Sequence, residues 1–93
     1  MTKYMCTNNY CLRQIADEYL LFPIEDMADK LNGTIVLNEL SQHVWMVLKN
    51  PMTLDEMVLD ICNIYDVTSE TAEKDLKKLL DQFLEFKVIN ELQ

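Results

Sequence analysis

Glycine, proline and histidine are scarce in this chain of 93 residues, which contains 1 Gly, 2 Pro and 1 His. Few glycines and prolines leave little room for long irregular loops, because these residues supply many of the backbone conformations that turns need. The single histidine, His43, has no second histidine or cysteine at ligand spacing, and a metal site needs several ligands. We therefore interpret His43 as a structural or surface residue and expect no metal and no cofactor.

Positive charge is also in short supply. The 8 Lys and Arg residues face 16 Asp and Glu residues, so the formal net charge is -8. Proteins that bind nucleic acid gain affinity mainly by neutralising phosphates with cations, and anionic membrane surfaces favour basic segments in the same way. The charge balance therefore argues against both partners and favours a protein that stays in solution.

Long apolar runs and paired cysteines are missing as well. No segment approaches the roughly 18 apolar residues of a membrane span, and the first ten residues do not resemble a signal peptide. The three cysteines, Cys6, Cys11 and Cys62, form an odd set without CxxC spacing. Cys6 and Cys11 allow two interpretations: they pair with each other or bind a metal, or they are ordinary thiols. We favour ordinary thiols. These features predict a reduced, cytoplasmic protein.

Catalytic motifs are absent from the sequence too. It contains no phosphate-binding loop, no nucleophile elbow and no dinucleotide fingerprint. The carboxylates are spread over solvated helix faces and first turns, so no acid and base pair can be selected from them. We expect no catalytic residues and predict that the protein is not an enzyme.

The chain is long enough for one domain. Residues 1–10 are polar and aperiodic, so we expect a flexible arm there and a domain over residues 11–93. Three β-like runs follow the arm, at residues 11–15, 19–22 and 34–37. Asp17-Glu18 is short enough to connect the first two runs as a hairpin, and Asn32-Gly33 is a strong turn signal before the third.

Amphipathic helical patterns begin immediately after the third strand. Asn38 suits the N-cap of a first helix that ends near Leu48. Thr53 and Glu56 fit a capping box at the start of a second helix, and Thr68 suits the N-cap of a third. Three strands followed by three helices predict an α+β domain with a three-stranded antiparallel sheet, similar to a small winged helix-turn-helix.

The third strand, Thr34–Leu37, is the most informative element of this prediction. It is the last strand before the helices, so we expect it at an edge of the sheet, where proteins usually place charge, proline or a bulge to prevent pairing with other chains. The run Thr34-Ile35-Val36-Leu37 has none of these guards. Two explanations remain open at this point: the protein itself covers the edge, or the edge accepts an added strand.

The order of these motifs resembles that of the PqqD family. The resemblance starts with Leu12–Leu21 and continues through Asn32–Glu39, Val44-Trp45 with Val47-Leu48, Tyr65–Val67, and Ala72 with Asp75-Leu76 and Leu79-Leu80. It covers nearly the whole chain, from about Leu12 to Ile89. Two departures stand out: Asp17 lies in the hairpin turn where the family commonly has glycine, and Ser41-Gln42-His43 replaces small and apolar residues in the first helix.

The resemblance implies a function. Members of the PqqD family are winged-helix precursor-peptide recognition elements, which bind the leader segment of a ribosomally synthesised precursor peptide and present it to a modifying enzyme, often a radical SAM maturase. In the family the leader adds as an antiparallel strand to the third strand and packs against the third helix. Mapped onto this sequence, the peptide-binding residues are Thr34, Ile35, Val36, Leu37, Asp75, Lys78, Leu79 and Gln82.

Two further questions stay open from the sequence. Lys74, Lys77 and Lys78 make the third helix locally basic and suit an acidic leader, but Glu73, Asp75 and Asp81 are interleaved, so a solvated mixed face is the alternative. Besides a leader-binding monomer or weak dimer, the fold is compatible with an acidic winged-helix regulator and with a dimerisation module that pairs through its own open strand. The net charge and the lack of arginine in the third helix disfavour the regulator.

Overall fold

A computed structural model describes residues 1–24 and 33–92. The Asn32 part of the predicted Asn32-Gly33 turn lies outside these residues. The elements in chain order are β1 Lys3–Cys6, β2 Tyr10–Ile15, β3 Glu18–Pro23, β4 Ile35–Leu37, α1 Glu39–Val47, β5 Met52–Thr53, α2 Leu54–Ile64, α3 Ser69–Glu85 and β6 Ile89–Leu92. The prediction of an antiparallel three-stranded sheet followed by three helices is confirmed.

The predicted sheet has the strand order β2-β3-β4. Strand β2 pairs with β3 from Tyr10 opposite Pro23 to Ile15 opposite Glu18, and β3 pairs with β4 from Tyr19 opposite Leu37 to Leu21 opposite Ile35. The first β-like run extends one residue further back than expected, whereas Thr34 lies outside β4. Leu21, in the centre of the middle strand, is fully buried.

The hairpin turn between β2 and β3 lies one residue earlier than predicted. Because Ile15 pairs with Glu18, the two central residues are Ala16 and Asp17. Ala16, not Asp17, has the positive φ, at 56°. A two-residue hairpin needs a residue in the left-handed conformation to match the twist of the strands. The cross-strand register puts Ala16 at that position, and alanine is not a residue type that indicates a left-handed conformation in a sequence.

The structure corrects the expectation of a flexible arm over residues 1–10. Residues 3–6 form β1, the central strand of a second antiparallel sheet with the order β5-β1-β6. Both partners of β1 come from distant parts of the chain, Met52–Thr53 and Ile89–Leu92, so local patterning gives no sign of them. Tyr10, assigned to the same arm, is buried in the core at 7% exposure.

The N-terminal segment also supplies hydrogen bonds to the ends of two helices. The Cys6 amide donates to the Leu48 carbonyl at 2.7 Å, and the Cys6 thiol donates to the Trp45 carbonyl at 3.2 Å, at the end of α1. The Tyr10 hydroxyl donates to the Phe86 carbonyl at 2.9 Å, at the end of α3. The last carbonyls of a helix lack partners within the helix, so these bonds satisfy groups that would otherwise be orphaned.

The three predicted helix caps are confirmed. The Asn38 side chain accepts from the Ser41 amide at 2.8 Å, and the Thr68 hydroxyl accepts from the Thr71 amide at 3.2 Å. At α2, the Thr53 amide donates to Glu56 Oε1 at 2.8 Å while the Glu56 amide donates to the Thr53 hydroxyl at 3.1 Å. The bond from the Thr53 amide to the carboxylate, with a smaller contribution from the Thr53 side chain, holds the pKa of Glu56 below its usual value.

Helix α3 ends in a Schellman motif. The Val88 amide donates to the Phe83 carbonyl at 2.8 Å, and the Lys87 amide donates to the Leu84 carbonyl at 3.1 Å. Lys87, the residue between the C-cap Phe86 and Val88, adopts a φ of 60°. This left-handed residue turns the chain from α3 into β6 and buries Val88 against the core, the usual arrangement at such a helix end.

The core lies between the predicted sheet and the helices. Its buried apolar side chains come from every helix and from strands of both sheets: Tyr10, Leu21, Leu37, Val44, Leu48, Met57, Ile61, Ala72, Leu76, Leu80, Phe83, Val88 and Ile89. On α3 the buried side chains are Ala72, Leu76, Leu80 and Phe83, whereas Leu79 is only half-buried. No helix in the described part of the chain is long and apolar enough to cross a membrane.

Candidate peptide-binding groove

A shallow groove of about 120 Å³ runs between β4 and α3. We call it the strand groove. Strand β4 and the residues after it form one wall, and the second half of α3 and its C-cap form the other. The lining residues are Ile35, Val36, Leu37, Asn38, Ser41, Leu79, Gln82, Phe83 and Phe86. The two elements that the family resemblance implies for peptide binding are therefore neighbours in the fold.

Strand β4 is an edge strand within the described residues. It pairs with β3 on one side, and none of the described strands pairs with it on the other. Its side chains alternate as in a half-buried strand: Leu37 is 6% exposed, Ile35 is partly buried and Val36 is 60% exposed. No charged residue, proline or bulge occupies β4, so its free edge has the features of a strand that accepts a partner.

Apart from Gln82, the helical wall is apolar, and it extends along the axis of α3. Leu79 is half-buried and Phe83, one turn later, is 3% exposed at the base of the groove. Phe86 continues the same face at the C-cap and is 42% exposed. Residues three and four positions apart share one face of a helix, so these side chains form a continuous stripe beside β4.

Five of the eight predicted site residues line this groove. They are Ile35, Val36, Leu37, Leu79 and Gln82. Thr34 and Lys78 are exposed and do not line it, and Asp75 lies one turn before Leu79 in a separate cleft.

Sequence reasoning missed four lining residues: Asn38, Ser41, Phe83 and Phe86. Phe86 had a usable signal, because it follows Gln82 by four positions and Leu79 by seven, on the same helical face. Phe83 fits the apolar core pattern of α3, and most of its side chain lies in the core. The sequence pattern marks Asn38 only as a cap, and no pattern indicates that the cap of α1 also borders the groove.

Asn38 and Ser41 form a rigid polar corner of the groove. The Ser41 hydroxyl lies 2.9 Å from Asn38 Oδ1 and 3.1 Å from the Asn38 carbonyl oxygen, in addition to the capping bond from the Ser41 amide. Ser41 is 5% exposed. Because these groups satisfy one another, they fix the angle at which β4 enters α1 and thereby the position of the free edge.

A second depression, which we call the helix cleft, lies where the start of α1, the end of α2 and the start of α3 meet. Its volume is about 330 Å³, and its lining residues are Asn38, Glu39, Leu40, Ile61, Tyr65, Val67, Ala72 and Asp75. Asn38 belongs to both depressions, so the helix cleft adjoins the strand groove at the C-terminal end of β4.

His43 and the cysteines lie outside the strand groove. His43 Nε2 is 2.6 Å from Asp60 Oδ2, which connects α1 to α2, and its ring packs edge-on against Tyr65 with centroids 6.3 Å apart. Burial raises the pKa of the Cys6 thiol to about 11, against a smaller lowering effect of Lys49. A thiol with this pKa is protonated at neutral pH and is a poor nucleophile.

Comparison with known proteins identifies the family of this fold. The family model for coenzyme PQQ synthesis protein D (PqqD) matches residues 18–89. The chain belongs to the PqqD family. The match spans β3 to the start of β6 and therefore includes both walls of the strand groove.

A solved structure with the same PqqD-like fold is TbiB1 in complex with the TbiA(beta) leader peptide. The TM-score is 0.73 at 21% sequence identity, and the similarity covers 92% of this chain and 94% of that one. The fold is thus shared over almost the whole length of both chains. A comparison with curated proteins gives no match.

Proposed function

We propose that this PqqD-family protein binds the leader segment of a ribosomally synthesised precursor peptide in the strand groove and has no catalytic activity of its own. The observation that carries the proposal is the unguarded free edge of β4 facing the apolar stripe of α3. Membership of the PqqD family supports it, as does the fold shared with TbiB1, a protein whose structure was solved in complex with a leader peptide.

The proposed binding mode is strand addition. An extended leader pairs with the outward-facing amides and carbonyls of β4, antiparallel to it, and thereby extends the sheet to four strands. Main-chain hydrogen bonds of this kind fix register and give affinity, while side-chain pockets give selectivity. Because successive side chains of a strand point to opposite faces, every second leader residue faces Leu79, Phe83 and Phe86.

The bound leader is then presented to a modifying enzyme, for which we propose a radical SAM maturase. The protein's part in this division of labour is recognition. The described residues that line the strand groove include no acid or base, and the Ser41 hydroxyl is hydrogen-bonded to Asn38. Binding the leader leaves the region to be modified free to enter the active site of the partner. The recognition element then raises the local concentration of substrate at the enzyme.

DNA binding is poorly supported by the helix that would read bases. Helix α3 has three lysines and no arginine among its 17 residues, and it also carries Glu70, Glu73, Asp75, Asp81 and Glu85. A helix with five carboxylates repels the phosphates it would approach. Self-pairing through β4 would use the same free edge as leader binding. Gel filtration over a range of protein concentrations separates the two cases, because a self-pairing protein elutes as a dimer and a leader receptor with a free edge elutes as a monomer.

The test of strand addition uses the synthetic, fluorescein-labelled leader of the precursor encoded nearest to this gene, with binding measured by fluorescence anisotropy. A set of leaders, each methylated at one backbone amide, reports on main-chain pairing without altering the protein. Strand addition predicts that methylation weakens binding at alternate positions, because only every second amide points toward β4. Uniform insensitivity along the leader contradicts the proposed mode.

A matched pair of protein variants tests the helical wall. Phe86→Ala removes an aromatic side chain that is 42% exposed and lines the strand groove, and Leu59→Ala removes an aliphatic side chain that is 66% exposed on α2, outside the groove. We expect Phe86→Ala to weaken leader binding about tenfold, the range of an aromatic contact residue, and Leu59→Ala to leave it unchanged. Equal effects of the two variants contradict this location of the site.

A further inference from the structure

The helix cleft has the size and lining of a pocket for one large apolar side chain. At about 330 Å³ it is at the lower end of the range of ligand pockets. Its base is formed by Ile61 and Ala72, which are 4% and 2% exposed, and its walls by Leu40, Tyr65 and Val67. Val67 is 39% exposed, so part of this apolar lining is open to solvent.

Negative charge borders the same cleft. Glu39 and Asp75 are both exposed and line it, and the residues of the described chain that line it include no lysine or arginine. The Tyr65 hydroxyl donates a long hydrogen bond of 3.5 Å to Glu39 Oε1. Burial is the largest cause that raises the pKa of Tyr65, and the nearby Glu39 carboxylate and Asp60 raise it further.

Two of the three lysines of α3 lie elsewhere. Lys74 and Lys77 line a different surface depression together with Glu70, Thr71 and Glu73, and Lys77 Nζ is 3.9 Å from Glu73 Oε2. Carboxylates therefore border the helix cleft, and Lys74 and Lys77 are on another face. Lys78 is exposed and lines neither the helix cleft nor the strand groove.

The helix cleft continues the strand groove in a defined direction. Asn38 borders both depressions, and along α3 Asp75 of the cleft precedes Leu79 of the groove by one turn, about 6 Å. A leader that pairs antiparallel to β4 has its N-terminal side next to Leu37 and Asn38. Leader residues just before the paired segment thus reach the cleft.

We propose that the helix cleft is a second recognition pocket, which takes a large apolar side chain located on the N-terminal side of the strand-forming segment of the leader. A lysine or arginine next to that residue pairs with Glu39 and Asp75. This assignment rests on the proposed function and adds a sequence requirement to it: a basic and apolar motif that precedes the strand. Selectivity between leaders then depends on the cleft as well as on the strand groove.

Two cleft variants and one control test this pocket with the fluorescein-labelled leader described above. Val67→Asp places a charge on the apolar wall at an exposed position. Asp75→Lys reverses the charge at the rim, and Glu91→Lys makes the same change in net charge on β6, away from both depressions. Circular dichroism and thermal unfolding check that each variant is folded. Each leader residue before the strand-forming segment is replaced by alanine in turn.

The pocket predicts a specific pattern of coupling. Replacing one apolar leader residue by alanine weakens binding about tenfold to the native protein, as expected for a large apolar group that is only partly buried, and has little effect on Val67→Asp. Asp75→Lys weakens binding about fivefold and Glu91→Lys does not, and the difference between them shrinks with salt or when the basic leader residue is removed.

Two results overturn the inference and are distinguishable from each other. If the leader binds and responds to Phe86→Ala, but both cleft variants bind it within twofold of the native protein, the strand groove stands and the second pocket is wrong. If the leader does not bind the native protein at all, both the second pocket and the proposed function are wrong.

Discussion

Lys87 is the position where a single substitution should stabilise the protein most clearly. It is the left-handed residue of the Schellman motif that ends α3, with a φ of 60°. A non-glycine residue in this conformation costs about 1–2 kcal/mol relative to its relaxed state. Glycine at this position removes that cost but adds about 0.4–1 kcal/mol of entropy to the unfolded chain. The net prediction for Lys87→Gly is a gain of about 0.5–1 kcal/mol in the free energy of unfolding.

The hydrogen bonds around Lys87 are unaffected by this change. The Lys87 carbonyl accepts from the Thr7 hydroxyl at 2.8 Å and from Asn9 Nδ2 at 3.0 Å, and both bonds use the backbone. Thermal unfolding followed by circular dichroism measures the effect, and a gain of this size raises Tm by about 2–8 °C in a domain of this length. Lys87→Ala is the control, since it removes the side chain and keeps the Cβ. If alanine and glycine give the same Tm, backbone strain at Lys87 is not the cause and the reasoning is refuted.

Three further predictions concern the hairpin, the thiol and the capping box. Ala16→Gly relieves the strain of the positive φ of 56° in the hairpin turn. We expect the free energy of unfolding, measured with urea, to rise by about 0.5–1 kcal/mol, and a decrease would contradict this reasoning. The pKa of Cys6 rises from 9.0 to about 11 on folding, so the thiol of the unfolded state loses its proton at a lower pH than that of the folded state. The free energy of unfolding of the native protein should therefore fall between pH 9 and pH 11, and it should fall less steeply in Cys6→Ala. Identical slopes would exclude this contribution. Thr53→Ala should cost about 1 kcal/mol in the same urea assay by removing the cap of α2, and no change would show that the box is dispensable.

Local signals in the sequence are sufficient to place most of the fold. The caps Asn38, Thr53 and Thr68 each act within three residues, and the buried stripes of the helices repeat at a spacing that burial alone requires. Strands β2, β3 and β4 form a sheet of consecutive neighbours, so short-range patterning also predicts their pairing.

The second sheet is beyond the reach of such signals. Strand β1 pairs with segments about 50 and 85 residues away, as in Lys3 opposite Thr53 and Tyr4 opposite Glu91, and β5 is only two residues long. Nothing in the pattern of residues 1–10 indicates these partners, because the pairing depends on how the helices bring the chain ends together. The same reason explains why the roles of Cys6 and Tyr10 at the helix ends were not predicted.

The candidate site was predicted in its elements but not in all its residues. The absence of a guard on β4 and the facing stripe of α3 are visible in the sequence, and five of eight chosen residues line the strand groove. The phase of the helix and the tilt of β4 against it decide which turn of α3 the groove includes, and both depend on tertiary packing. Asp75 consequently belongs to the helix cleft, and Phe86 to the groove.

The measurement that tests leader recognition most directly is an amide NMR titration of the ¹⁵N-labelled protein with the leader of the nearest encoded precursor. We predict saturable shifts concentrated on Ile35–Leu37 and on α3 from Leu79 to Phe86, which Ile35→Pro weakens. No shifts at high peptide excess, or shifts confined to surfaces remote from β4, would contradict leader binding in the strand groove.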